Sequence, residues 1–177
     1  MPLRRLSTPE LRFYVSIIFL SSLWACDLSH AQSAANPARG VNWLPFQDAL
    51  GETKSSSTKL IVDVYAPWCG WCSRLQAEVY TDEEVQSYVR KHFTMTRLNI
   101  DEMDDKLTFN GYELSSAELA MGLGASGTPT TVFLTGDGKY ITRVPGFLAA
   151  EDFLAVLRFV ATDAYLTKSF EEFSEIR

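Results

Sequence analysis

Two cysteines stand two residues apart in Trp68-Cys69-Gly70-Trp71-Cys72. A pair at that spacing can lock into a structural disulfide, lend two ligands to a metal, or cycle between dithiol and disulfide. Zinc takes about four ligands, and Cys26, His30 and His92 are the remaining cysteine and histidine residues, the first two in a stretch expected to be removed. A structural disulfide across so short a loop constrains the unfolded chain little. The redox pair is therefore the favoured reading, and the flanking sequence suits it. Leu60-Ile61-Val62-Asp63-Val64-Tyr65 runs into the motif and reads as a buried strand of parallel type. Ser73 to Glu78 leads out of it as a helix. Cys69 thus falls at a helix N-terminus, where free N–H groups and the positive end of the dipole favour an anion. A thiol so placed can drop from a pKa of ~8.5 into the range of ~3.5–7.5.

Asp63 interrupts the apolar run. A carboxylate among apolar neighbours is costly unless it has a partner or a task. A functional acid near the cysteines is the favoured reading, and a solvent-facing strand residue is the other. His92, between Lys91 and Phe93 at a helix end, reads as a solvated or capping residue.

A chain of 177 residues is expected to form one domain with a real core. Its net charge of −6 argues against a nucleic-acid binder, which would show a basic face. The N-terminus differs from the rest. Arg4, Arg5 and Arg12 precede the apolar Phe13-Tyr14-Val15-Ser16-Ile17-Ile18-Phe19-Leu20, the layout of a secretory signal and too short for a membrane span. Ser29-His30-Ala31 places cleavage after Ala31. Leu23-Trp24-Ala25-Cys26 competes as a lipoprotein box with Cys26 lipidated, although Trp24 stands where a small residue is usual. Both readings put the domain outside the cytoplasm. Cleavage at Ala31 leaves Cys69 and Cys72 alone, so the fold is not held by a disulfide framework. The expected division is a signal peptide at 1–31 (or a lipoprotein leader to 25), a flexible linker at 32–40, a domain at 41–163 and a tail at 164–177.

Within the domain, Val41 to Leu50 is predicted as a short amphipathic helix and Gly51 to Thr58 as its polar close. Thr81-Asp82-Glu83-Glu84 starts a helix with Val85, Tyr88 and Val89 on one face. Phe93 to Ile100 is a second strand, and Asp101 to Asn110 is irregular. Tyr112-Glu113-Leu114 is extended, and Ser115 caps a helix holding Leu119, Ala120 and Leu123. Thr130 to Leu134 and Tyr140 to Val144 are strands joined by the tight turn Gly136-Asp137-Gly138. Ala149 to Ala161 closes the domain as a helix, and the tail is expected to pack through Tyr165, Leu166, Phe170 and Phe173. This order implies an α/β protein with a mixed sheet and helices on both faces.

From about Trp43 to Ala161 the chain resembles the thioredoxin superfamily. Four stretches carry the resemblance. Ile61 to Cys72 is similar to the family's strand and active site. Arg97-Leu98-Asn99-Ile100-Asp101 is similar to its second core strand, with arginine where lysine is usual. Gly127-Thr128-Pro129-Thr130 resembles its cis-proline loop, and Gly146 the glycine before its closing helix. The resemblance implies a thioredoxin fold with a central mixed sheet of four to five strands. Gly70-Trp71 between the cysteines departs from the Gly-Pro of cytosolic thioredoxins and the Pro-His of strong oxidases, and Glu102 to Leu114 resembles an insertion. Leader, insertion and tail are similar to exported thioredoxins of the sulfur-oxidation type and to the periplasmic C-terminal domain of membrane thiol reductants.

What the resemblance implies is specific. Cys69 is the nucleophile, Cys72 the resolving thiol and Asp63 the base that helps deprotonate Cys72. Trp68, Gly70, Trp71, Thr128 and Pro129 bind substrate, with a cis bond before Pro129 and the Thr128 backbone open to a substrate strand. Trp71 is the tryptophan more expected to make surface contact with a partner, and Trp68 either joins it in an apolar docking surface or packs beneath the site. Arg97 is expected to face solvent, with pairing to Asp63 as the other reading. No metal or cofactor is expected. The implied activity is reduction of disulfides in other exported proteins by a monomer, in the periplasm or another extracytoplasmic bacterial compartment. A membrane thiol transporter would be the electron donor. An oxidase or isomerase is the alternative within enzymes, and a redox-inert binding or chaperone module the alternative outside them.

Overall fold

The computed structural model describes residues 36–175; the expected leader, its cleavage site and residues 32–35 lie outside them. The described chain forms β1 (Trp43–Leu44), α1 (Phe46–Ser56), β2 (Lys59–Tyr65), α2 (Gly70–Glu78), α3 (Glu83–His92), β3 (Phe93–Asn99), β4 (Leu107–Phe109), β5 (Tyr112–Leu114), α4 (Ser116–Gly122), β6 (Thr130–Leu134), β7 (Tyr140–Pro145), α5 (Ala150–Ala161), a 3-10 turn (Ala164–Leu166) and α6 (Phe170–Ser174). Five strands join in the order β1-β3-β2-β6-β7, and β4 and β5 form a separate hairpin. β2 runs parallel to β3 and antiparallel to β6, so the sheet is mixed and β2 is central.

Successive side chains of β2 point to opposite faces, and both faces are covered. Leu60, Val62 and Val64 pack with Phe46 and Ala49 of α1 and Leu119 of α4. Ile61 packs with Leu75 of α2, Val85 and Val89 of α3, and Phe153 and Leu157 of α5. Asp63, two residues after Ile61, shares the second face. Double coverage explains the nearly unbroken apolar run. The α/β mixed sheet with helices on both faces is the architecture that the resemblance implied, with five strands.

Some local expectations are corrected. The apolar positions from Trp43 to Leu50 divide between two elements. Trp43 and Leu44 pair with Met95 and Thr96 as an edge strand, and Pro45 ends that strand and precedes α1. The helix then continues through the stretch expected to close it, because Thr53 is buried and its hydroxyl donates to Gly136 O at 3.1 Å. The irregular 101–110 region ends in a hairpin strand. Asn110 and Gly111 both sit at positive φ (51° and 83°), the conformation an Asn-Gly turn favours. In the tail, Tyr165, Phe170 and Phe173 ring Phe159 of α5 at centroid distances of 6.4, 5.5 and 5.3 Å, whereas Leu166 is exposed. At the other end, 36–40 is held against the domain: Ala38 is buried, and Gln86 of α3 donates to Arg39 O.

Candidate active site

β2 delivers the chain to the cysteines through Ala66, whose carbonyl accepts from Cys69 N at 3.0 Å in a turn. Cys69 is the N-cap of α2. Its Sγ accepts from the backbone N–H of Cys72 at 3.1 Å, so one of the helix's free N–H groups is aimed at sulfur. Cys69 and Cys72 are joined as a disulfide. Cys69 keeps 6% of its surface exposed and Cys72 none. Tyr65 and Ile100 pack around the pair with Ala66. Gly70, the first residue of α2, is exposed, and a Cβ there would meet nothing within 4 Å.

Pairing of Val64 with Thr130 brings the start of β6 alongside the end of β2. Thr128 and Pro129, just before β6, therefore lie beside the turn that leads into Cys69. Their peptide bond is cis, Pro129 is buried, and its carbonyl accepts from Gly146 N at 2.8 Å.

Both tryptophans are exposed, Trp68 at 71% and Trp71 at 56%, so Trp68 is not packed beneath the site. Trp68 is held at its edge, where Nε1 donates to Asp101 Oδ2 at 2.9 Å. Trp71 lies 5.6 Å from the ring of Phe147, and the Arg74 guanidinium covers both rings at 5.3 and 4.8 Å. Arg74 in turn donates to Glu78 at 2.8 Å. The contacts of Arg74, Phe147 and Asp101 were not legible in the sequence, because they depend on neighbours distant in the chain or one helical turn away.

Asp63 is fully buried. Its Oδ2 accepts from Arg97 Nε at 2.9 Å and from Gln76 Nε2 at 2.8 Å. Oδ1 has no hydrogen-bond partner among the described residues. Burial pushes this carboxyl above its ordinary value, and Arg97, then Tyr80 and Gln76, pull it back. Arg97 is thus not a solvent-facing residue: it stands directly across the β2–β3 ladder from Asp63, with its guanidinium 3.7 Å from the Tyr65 ring centroid and 5.4 Å from that of Trp43. Tyr80 is also buried, its hydroxyl 3.5 Å from Thr131 Oγ1, and burial with the nearby Asp63 charge pushes its phenol well up. Gln76 was missed, though its position four residues after Cys72 puts both on one face of α2. Among the described residues, no group of three or more His, Cys, Asp or Glu side chains is placed to hold a metal.

This geometry accords with comparison to known proteins. Residues 46–161 match the family model described as a thioredoxin-like domain. The chain is 30% identical over 150 residues to the thiol:disulfide interchange protein DsbD of Actinobacillus pleuropneumoniae, covering 80% of this chain and 24% of that protein. To the DsbD of Pectobacterium atrosepticum it is 33% identical over 128 residues, 71% of this chain and 20% of that protein. It therefore spans about a quarter or less of these curated relatives. A thioredoxin-fold protein from Helicobacter pylori superposes with a TM-score of 0.56 at 26% identity, covering 68% of this chain and 80% of that one. A family model that spans more than half of the chain, around a Cys-Gly-Trp-Cys disulfide at the head of α2, means that this chain belongs to the thioredoxin-like thiol–disulfide oxidoreductases.

Proposed function

We propose that the chain is an extracytoplasmic reductase of disulfides in other exported proteins, recharged by a membrane thiol transporter and working as a monomer. One observation carries the reading: a disulfide in which Cys69 keeps a sliver of exposed surface and Cys72 none, on a sheet that carries a buried acid. In the reduced protein the Cys69 thiolate attacks a substrate disulfide, forming a mixed disulfide and releasing the first substrate thiolate. Asp63, as its carboxylate, takes the proton of Cys72. The Cys72 thiolate then attacks Cys69 Sγ, restoring the Cys69–Cys72 bond and releasing the second substrate thiolate. Two electrons pass from the dithiol to the substrate. Likeness to DsbD proteins supports the membrane donor and the extracytoplasmic setting. The basic, then apolar leader supports export, by cleavage after Ala31 or with Cys26 as a lipid anchor.

Substrate docks, in this reading, on Trp68, Gly70 and Trp71 from one side and on the Thr128–Pro129 backbone from the other. Trp71→Ala is expected to raise KM for a protein disulfide several-fold while leaving reduction of a small-molecule disulfide unchanged. Steady-state kinetics with both substrates checks this.

The direction of transfer is tested by equilibrating Cys69/Cys72 of the full-length protein against glutathione buffers. A potential near that of thioredoxin, ~−270 mV, is expected. A value near the ~−120 mV of a strong periplasmic oxidant would make the chain an oxidase or isomerase. A pair that resists reduction altogether would make it a redox-inert docking module.

A further inference from the structure

Gln76 is buried, and both ends of its amide are in use. Nε2 donates to Asp63 Oδ2 at 2.8 Å, and Oε1 accepts from the backbone N–H of Ala38 at 2.7 Å. A backbone N–H can only donate, so the atom facing Ala38 must be the oxygen. With the oxygen held there, the nitrogen faces Asp63. Turned over, the amide would set its oxygen against the carboxylate and its NH2 group against another donor. Thirty-eight residues of chain separate Ala38 from the side chain it orients.

Ala38 is also the buried member of an otherwise exposed segment, since Asn36, Pro37, Arg39 and Gly40 all face solvent. Its carbonyl accepts from Trp43 Nε1 at 3.2 Å, and Arg39 O accepts from Gln86 Nε2 at 2.7 Å. Beside the segment lies a cleft of about 660 Å³, bordered by Gln76, Ala77 and Thr81 on the domain side. A segment held by a few bonds and edged by solvent opens at far lower cost than the core.

We propose that 36–40 is a strap whose Ala38 N–H orients the Gln76 amide, and that Gln76 is thereby a positioning residue which sets the proton affinity of Asp63 behind the dithiol. The inference rests on the reading of Asp63 as the proton acceptor for Cys72. Asp63 is faced by Arg97 from β3, by Gln76 from α2, by Tyr80 from the segment after α2 and by Thr131 from β6. Arg97 stays charged, and the Tyr80 phenol stays protonated. The orientation of the amide is the variable that remains. Donation from Nε2 favours the carboxylate. Releasing the strap lets the amide turn, so Asp63 holds its proton to higher pH and Cys72 lacks its base near neutrality.

The test follows the carbon-13 shift of the Asp63 carboxyl against pH in the full-length oxidised protein, where neither cysteine titrates. Ala38→Pro removes the N–H at the strap and sets a ring carbon against Gln76 Oε1, and Gln76→Met removes both ends of the link. Each is expected to raise the midpoint by about one pH unit or more, roughly tenfold in proton affinity, the size expected of one hydrogen bond to a charged group. The double variant is expected to match Gln76→Met alone. A folded Ala38→Pro protein with an unchanged midpoint, or a double variant that adds a separate shift, overturns the proposal. Should Ala38→Pro not fold, the unmodified protein still decides: the Ala38 amide proton is expected to titrate with the Asp63 midpoint, and its silence overturns the strap. Turnover on a protein disulfide reports separately on the reductase reading, because this titration uses oxidised protein without substrate.

Discussion

Cys72→Ser protein, mixed with an oxidised protein substrate, is expected to accumulate as a covalent adduct and to turn over no faster than background. Cys69 should still attack. It keeps its place at the head of α2, and the N–H that reaches its sulfur belongs to the backbone of residue 72, which serine preserves. The step that fails is release, because a serine hydroxyl does not displace the substrate from Cys69 under these conditions. The adduct should survive denaturing gels without reductant and disappear with excess dithiothreitol. Cys69→Ser is expected to show neither turnover nor adduct, since Cys72 has no exposed surface from which to reach a protein disulfide. Equal adduct formation by both variants would remove the assignment of Cys69 as the attacking thiol. Comparison of the two variants on one gel is therefore more informative than loss of activity alone.

The parts of this site legible in the sequence are those that local chemistry sets. The cysteine spacing, the apolar run of β2 and the helix start at Thr81–Glu84 each depend on neighbours a few residues away. The structure puts the N-cap of α3 at Asp82, whose Oδ1 accepts from Glu84 N and Val85 N, both at 3.0 Å. Strand order was not legible in pattern, and the structure supplies it. Trp43 and Leu44 fit a helical apolar stripe as well as an edge strand, and their pairing with β3, some fifty residues on, decides between the two. Asn110-Gly111 is a hairpin signal, but the strands it joins are only three residues each, too short to show an alternating pattern.

The surroundings of Asp63 were the hardest part to foresee. The sequence marked Asp63 as anomalous by its neighbours alone, but its partners arrive from three directions. Arg97 comes by strand register, Gln76 by helix periodicity and Tyr80 from the turn that follows α2. An arginine in isolation is best read as solvated, and that default fails here because a buried acid lies directly opposite. The exposure of Trp68 had a similar cause: its indole is held at the surface by Asp101, whose position depends on where β3 ends.

Arg97→Met is expected to cost about 3–5 kcal/mol of stability at neutral pH, more than any other single change at the site. The side chain is 9% exposed and its partner is fully buried, so removing the cation strands a carboxylate that retains Gln76 as its donor. The pH dependence separates this cause from lost packing. Burial already holds the folded Asp63 above its ordinary value, so between about pH 4 and its folded midpoint the native state binds more protons than the unfolded state. Stability contributed by this group is therefore fully present below that window and falls as pH rises through it. Without Arg97 the midpoint moves higher, and the loss continues at pH values where the parent protein has levelled off. Urea unfolding of the oxidised protein at about pH 4 and about pH 8 should show a small deficit at the first and the full deficit at the second. Adding Asp63→Asn to Arg97→Met should recover most of it, since the stranded charge is gone. A deficit of equal size at both pH values, unrelieved in the double variant, would mean that Arg97 acts through its stacking on Tyr65 and Trp43 rather than through the buried pair.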